Sequence, residues 1–147
     1  MLKSKSKIIG ILAVICAAIC VAFAGCAFTN YDYEEVYNDD AMIATCNSSK
    51  RIGSVESSVN GSYNLSCSSL SGVYTIKSIT VNENTSANLK LEVSEGKCKV
   101  VLIKSTDVYT LKEGSYDGAL DFTDIPNGSY KLKVVGVDAH IKLTLNY

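Results

Sequence analysis

Apolar and polar side chains alternate along most of the chain after Gly53, and they do so up to its last residue. The C-terminal segment places Ile141, Leu143 and Leu145 opposite polar neighbours. Residues two apart share one face of a β-strand, whereas a helix brings together residues three and four apart. Short alternating segments at regular spacing therefore predict an all-β fold, an antiparallel sandwich or barrel of about seven or eight strands, of which we prefer the β-sandwich.

Residues that favour turns lie between these segments. Asn60–Gly61 predicts a β-hairpin, because both residues tolerate the positive φ of a type I′ turn. Glu95–Gly96 and residues 126–129, which contain Pro, Asn and Gly, predict two further turns. Leu120 and Phe122 predict a short strand just before the second of these turns.

Two segments depart from simple alternation. In residues 73–81 the apolar positions change from even to odd, which predicts a bulge near Lys77 or a strand that passes from one sheet to another. Val101 and Ile103 occupy the face of their strand that elsewhere is polar. We therefore expect this strand to be covered on both sides near its end.

The N-terminus has the features of an export signal. Lys3, Lys5 and Lys7 precede an uncharged, mostly apolar run over residues 8–24. Such a run can cross a bilayer as a helix, and the positive end stays inside. The sequence thus predicts a signal helix over residues 1–25 and delivery of the remainder to the outside.

The end of this signal, Ala22-Phe23-Ala24-Gly25-Cys26, resembles the lipobox of bacterial lipoproteins. The resemblance implies that the thiol of Cys26 is acylated and that cleavage leaves Cys26 as the new N-terminus. It implies a lipid-anchored protein on the extracytoplasmic face of the cell membrane, with the membrane as its partner through the lipid on Cys26. Because each buried methylene contributes roughly 0.8 kcal/mol, the two or three acyl chains of a lipoprotein hold it stably.

Two alternatives to lipidation remain open. Ordinary signal peptidase also accepts small residues at positions 22 and 24, and its product would be a secreted domain that begins at Gly25. Without cleavage, residues 8–28 form an uncharged stretch that is long enough for a transmembrane anchor. All three routes export the same domain.

The segment that follows is acidic and is predicted to be a tether. Residues 26–46 carry five carboxylates and no basic residue: Asp32, Glu34, Glu35, Asp39 and Asp40. Like charges without apolar companions rarely order themselves, although a short helix fits residues 33–44. The predicted domains are therefore a lipoprotein signal peptide (1–25), an acidic tether (26–46) and a β-sandwich (47–147).

The charge balance argues against nucleic-acid binding. The whole chain carries a formal charge of −1, and removal of the three leader lysines leaves eleven basic and fifteen acidic residues, or −4. Neutralising phosphates along a nucleic acid requires a basic face, which this balance does not favour.

The segment Leu120-Asp121-Phe122-Thr123-Asp124-Ile125-Pro126-Asn127-Gly128-Ser129-Tyr130-Lys131-Leu132 resembles the strand-turn-strand signature of carboxypeptidase-regulatory-like and Cna-B-like surface modules. Those modules have an aromatic strand, a Pro-x-Gly turn and a strand led by Tyr. The resemblance implies a prealbumin-like sandwich that serves as a stalk or binding module, without catalysis.

Three cysteines remain in the predicted domain once the leader is removed and Cys26 is acylated. They are Cys46, Cys67 and Cys98, so at most one intramolecular disulfide can form. Cys67 and Cys98 both belong to the apolar faces of their strands, which makes them the pair to expect if the two strands face each other. The alternative is two buried thiols that act as small apolar groups, and Cys46, in a polar setting, is the spare thiol.

Few residues suggest catalysis or metal binding. His140 is the sole histidine, and with Asp138 and a serine it has the composition of a triad, but no nucleophile-elbow motif selects a serine. Asp117, Asp121 and Asp124 form an acidic row without EF-hand spacing, so turn formation is the preferred interpretation. The sequence thus predicts no metal, no cofactor and no enzymatic activity.

The resulting hypothesis is a non-catalytic binding or structural module of the cell envelope that contacts a wall polymer or an envelope protein. The alternatives are an inhibitor or small accessory enzyme of the envelope, and the ligand-binding component of a transport system. Three tyrosines discriminate among binding roles: Tyr109, Tyr116 and Tyr130. A flat outward patch favours carbohydrate binding, whereas burial favours a scaffold or protein-contact role.

Overall fold

The structure, a computed structural model, describes residues 32–147. The predicted signal peptide and the predicted lipidation site, Cys26, lie outside these residues. None of the helices within residues 32–147 is both long and apolar enough to span a membrane. The elements are α1 (Tyr33–Asn38), α2 (Asp40–Thr45), β1 (Ser49–Ile52), β2 (Val55–Val59), β3 (Ser62–Val81), β4 (Asn88–Lys104), β5 (Asp107–Glu113), β6 (Tyr116–Ala119) and β7 (Gly128–Asn146).

The seven strands form one antiparallel sheet, which confirms the all-β class. The strand order is β1-β3-β7-β4-β5. β1 and β2 both pair with β3, each along a different part of its length. In the same way β5 and β6 both pair with β4. The last strand of the chain is therefore inserted between two hairpins, and the C-terminal residues belong to the centre of the sheet.

The three long strands cross from one layer of the sandwich to the other. In β4 the buried side chains occupy odd positions at Leu89 and Leu91 but even positions at Val100 and Leu102. In the same way β7 buries Val134 before the crossing and the odd positions of its second half after it. Register shifts accompany each change of phase. One continuous sheet thus folds over on itself and encloses the main core between its two halves.

Two of the predicted local features are confirmed and two are wrong. Asn60–Gly61 forms the β2–β3 hairpin with positive φ at both residues, and a register shift lies between Thr75 and Lys77. Glu95–Gly96, by contrast, lies inside β4 and marks its crossing between layers, not a hairpin. Leu120 and Phe122 are buried but follow β6 and form no strand.

The two helices cover the outer face of one layer of the sheet, the layer that contains β5, the C-terminal part of β4 and the N-terminal part of β7. Val101 and Ile103 are buried on this face, as the sequence predicted for a strand covered on both sides. The helices and the sheet together form a second apolar cluster, made of Val36, Tyr37, Ile43, Cys46, Val73, Val101, Ile103 and Val135.

Two of the acidic residues explain why these helices form. Asp32 precedes α1, and its carboxylate accepts hydrogen bonds from the backbone N–H groups of Glu34 and Glu35 at 3.0 and 3.3 Å. Asp39 serves α2 in the same way, accepting from Ala41 at 2.8 Å. Side-chain acceptors at this position satisfy N–H groups that a helix leaves unpaired.

The predicted tether over residues 26–46 therefore needs correction from residue 32 onward. That part folds onto the sheet and belongs to the same compact unit as the strands. The apolar residues interleaved with the acids supply the burial that a solvated linker would lack. Tyr37 also donates a hydrogen bond to Glu113 at 2.9 Å, and an ion pair joins Glu34 to Lys97 on β4.

All three cysteines of the described chain are buried free thiols. In the structure Cys67 and Cys98 are free thiols and are not joined in the predicted disulfide; their strands, β3 and β4, each pair with β7. The alternative of small buried apolar groups describes them. Cys46, expected in a polar setting, is also buried, where it contacts the apolar cluster under the helices.

Burial of Cys98 leads to a prediction about alkaline pH. Burial raises the pKa of the Cys98 thiol to about 12, so the thiol stays protonated in the folded state while the unfolded chain ionises near its ordinary pKa of about 8.5. The stabilisation is complete below that value and is lost as pH rises toward 12, by at most about 1.4 kcal/mol per pH unit.

Denaturant titrations between pH 8 and 9.5 should therefore show a smaller decline in the free energy of unfolding for Cys98→Ala than for the wild-type protein. Equal declines in the free energy of unfolding for the two proteins would contradict a raised pKa of Cys98.

Candidate functional site

A polar pocket of about 390 Å³ lies on the outer face of the sheet, beside the C-terminal end of α2. Its walls come from α2 and the residue that follows its cap, from β3, from the end of β4 and the turn after it, and from β7. We call it the lysine pocket, and its lining consists of Ala44, Asn47, Ser78, Ile103, Lys104, Ser105, Ser129, Tyr130, Lys131 and Lys133.

Lys133 is the innermost charged group of the lysine pocket. It is 1% exposed, and its ammonium donates hydrogen bonds to the carbonyl of Cys46 at 3.0 Å and to Oδ1 of Asn47 at 2.8 Å. Cys46 is the C-cap of α2, where carbonyl groups lack helical partners. Lys133 therefore fastens the end of the helical segment to the sheet.

The electrostatic environment of Lys133 is unfavourable for its charge. Burial, and next the charge of Lys131, lower the pKa of Lys133 below its ordinary value. Both acceptors of its hydrogen bonds are uncharged, a carbonyl and an amide oxygen. A buried cation without a counter-charge is costly.

The other two lysines lie on the exposed rim of the pocket. Lys131 pairs across the sheet with Ser78 on one side and Ile103 on the other. Lys104 ends β4, and its ammonium lies 5.6 Å from the centroid of the Tyr130 ring. The absence of a side chain at Gly128 leaves room for this ammonium, since a Cβ there would lie 2.7 Å from it.

No carboxylate lines the lysine pocket. Within residues 32–147, the ion pairs join other residues: Arg51 to Glu56, Lys90 to Glu92 and Asp117, and Lys97 to Glu34. The three pocket lysines thus form a concentration of positive charge in a domain whose overall balance is acidic. Such an arrangement attracts anions.

A second cavity, of about 270 Å³, lies at one end of the sandwich. Apolar side chains such as Phe122, Leu132 and Leu145 line much of it, and Tyr147 lies at its margin with the Lys77 ammonium 3.0 Å from its ring centroid. It continues the main core between the layers. Its lining is mostly apolar, so it offers a ligand mainly apolar contact.

The structure does not assemble a triad from His140 and Asp138. Asp138 instead pairs with Ser71, whose hydroxyl donates to the carboxylate at 2.9 Å and accepts from the Asp138 N–H at 2.9 Å. Asp138 lies in the crossing region of β7 with a φ of 46°. The pair therefore holds an irregular backbone, and no imidazole lies between the two groups.

The acidic row is dispersed among local contacts. Asp121 accepts hydrogen bonds from the Thr123 N–H at 2.9 Å and the Thr123 hydroxyl at 2.6 Å, as in the turns that the sequence favoured. Asp117 lies 3.8 Å from the ammonium of Lys90. In the part of the chain that the structure describes, acidic, cysteine and histidine side chains form no cluster suited to a metal ion.

The three tyrosines contribute to the core. Tyr130 is 2% exposed, and its ring meets that of Tyr109 edge-on with centroids 5.8 Å apart. Tyr109 and Tyr116 are half-buried and pack against the main core. They form no flat outward patch, which favours a scaffold or protein-contact role over carbohydrate stacking.

The sequence interpretation did not single out the lysine pocket. Lys131 and Lys133 alternate with the apolar residues Tyr130, Leu132 and Val134, a pattern that is typical of an exposed strand face. One signal was available. Val101 and Ile103 predicted that the outer face of their strand is covered, and a lysine that lies on a covered face must be buried. The contribution of Asn47 depends on tertiary packing.

Comparison of the chain with protein-family models, with curated proteins and with solved structures finds no match.

Proposed function

We propose that this protein is a non-catalytic binding module of the cell envelope, held at the outer face of the membrane by a lipid on Cys26. The lysine pocket is its binding site. The observation that carries the proposal is a pocket that three lysines line and that no carboxylate lines. The leader sequence supports the location.

The chemistry of the pocket supports binding more than catalysis. Lys104 and Lys131 present charge at its rim, and Ser78, Ser105 and Ser129 present hydroxyl groups. Such groups hold and orient a ligand. The Ser71–Asp138 pair, in contrast, lacks the imidazole that would activate a serine.

A second candidate surface supports contact with an envelope protein. β2 pairs only with β3 in the described chain, and Val55 and Val59 are 71% and 62% exposed. Unpaired edge strands with apolar side chains accept additional strands. This surface is remote in sequence from the pocket lysines, so variants separate the two roles.

Co-sedimentation of the mature protein, purified from membranes in detergent, with wall and envelope fractions tests the proposal. We expect Lys104→Gln and Lys131→Gln each to weaken retention about tenfold, the equivalent of about 1.4 kcal/mol. Lys142→Gln is the matched control, because Lys142 is also exposed on β7 but lies outside the pocket.

Retention that depends on Lys104 and Lys131 but not on Lys142 would support the pocket as the binding site. Retention lost with Val55→Lys, and unaffected by the pocket variants, would assign binding to the edge strand instead. Failure of the wild-type protein to bind any fraction would refute the proposed function.

A further inference from the structure

The charge and donor types in the lysine pocket indicate which ligands it can hold. Three lysines contribute to its lining, the buried Lys133 among them, and no carboxylate lines it. A bound anion offsets the cost of the buried Lys133 charge and relieves the repulsion between Lys133 and Lys131. The occupant is therefore negatively charged, and more than one negative charge matches the site better than one.

We propose that the lysine pocket binds a phosphate group carried by an organic ligand, as a phosphate monoester or diester. This inference rests on the proposed function, since it assumes that the pocket is a binding site.

The donor set favours phosphate over carboxylate. Lysine acts as a point charge that suits phosphate oxygens, whereas planar carboxylates are matched by the two-pronged arginine side chain. No arginine lines the pocket. The hydroxyls of Ser78, Ser105 and Ser129 add donors from three separate segments of the chain, which suits the tetrahedral arrangement of phosphate oxygens.

Lys133 provides the charge at the base of the site. An ammonium has three N–H donors, and the carbonyl of Cys46 and the amide oxygen of Asn47 accept two of them. One N–H donor remains beyond these two hydrogen bonds and is assigned to the ligand. Because Lys133 is held by these two fixed acceptors, its position does not depend on the ligand.

The size of the pocket indicates a phosphate with a substituent. Its volume of about 390 Å³ lies within the range of about 300 to 1,000 Å³ that small-molecule sites span. A glycerol or sugar phosphate would use the space next to Ala44 and Ile103.

The test is a titration of the mature protein in detergent with sodium phosphate and with glycerol phosphate, followed by calorimetry and backbone amide shifts. Sodium acetate at equal ionic strength serves as the carboxylate arm, since ionic strength alone screens surface charge. We expect saturable binding of both phosphates, with shifts at Ser78, Ser105 and Ser129. Lys104→Gln and Lys131→Gln should weaken binding at least about fivefold, whereas Lys142→Gln should not change it.

A wild-type protein that responds equally to acetate and phosphate, or that shows only shifts proportional to ionic strength, would overturn the phosphate assignment. Pocket-dependent binding of an envelope fraction without phosphate binding would leave the proposed function standing and refute only the ligand class. Phosphate binding without retention by any envelope fraction would refute the proposed function instead.

Vesicles distinguish the source of the phosphate. With glycerol phosphate binding established, stronger pocket-dependent binding to phosphatidylglycerol than to phosphatidylcholine vesicles would assign it to a lipid headgroup. Binding to vesicles by a protein that ignores soluble phosphates would overturn the inference. Because Lys104 and Lys131 are exposed, their variants should fold, and circular dichroism verifies this.

Discussion

Replacement of Gly96 by alanine is expected to lower the free energy of unfolding by about 2 to 5 kcal/mol, a large part of the roughly 5 to 15 kcal/mol that stabilises a domain. Gly96 has a φ of 71°, and a Cβ there would lie 2.3 Å from the carbonyl oxygen of Val137 and 2.5 Å from that of Asp138. Backbone atoms cannot move aside as a flexible side chain could. The substitution therefore disrupts the place where β4 crosses between layers.

Gly114→Ala is a matched control for this prediction. Gly114 has a nearly identical φ of 72°, but a Cβ there meets no atom within 4 Å. It should lose only the backbone preference, about 1 to 2 kcal/mol. Equal losses of unfolding free energy for the two variants in denaturant titrations would contradict the close packing of β4 against β7 at the crossing.

Local patterns predicted the strands better than they predicted their lengths. Alternation identified the faces of β3, β4 and β7, and Asn60–Gly61 identified a hairpin, because both signals depend on neighbouring residues alone. Glu95–Gly96 was misinterpreted because glycine with positive φ serves hairpins and bulges alike. Distinguishing them requires the partner strand, which in this sheet comes from the end of the chain.

Tertiary packing accounts for the remaining differences. The acids between residues 32 and 40 suggested a solvated tether, yet Asp32 and Asp39 cap helices and Val36 and Ile43 are fully buried beneath them. The lysine pocket combines residues from four separate segments, so no local pattern could reveal the whole pocket. The one signal that pointed toward it was the expectation, from Val101 and Ile103, that the outer face of their strand is covered.

Replacement of Cys26 by alanine is expected to abolish stable membrane association. The substitution removes the thiol that is proposed to receive the lipid, and each acyl chain would contribute roughly 0.8 kcal/mol per buried methylene. We expect the protein in the soluble fraction, or as a precursor with its leader uncleaved. Fractionation and intact mass measurement distinguish these products.

Cys20→Ala provides the control for Cys26→Ala, because both change a cysteine but residue 20 lies in the predicted leader and not at the acylated position. Membrane association and processing should be unchanged in this variant. A Cys26→Ala protein that matures and fractionates like the wild type would refute lipidation and favour an uncleaved anchor or secretion.

The central claim is that the domain binds an envelope component through the lysine pocket. A photo-reactive amino acid in place of Ala44, which lines the pocket without supplying a charge, tests this claim most directly when the intact host cell is irradiated. The reference is the same substitution at Ala41, which is exposed on the same helix but lies outside the pocket lining. The account predicts a membrane-associated adduct with an envelope component from position 44 and little from position 41. Equal adducts from both positions, or none from position 44, would contradict it.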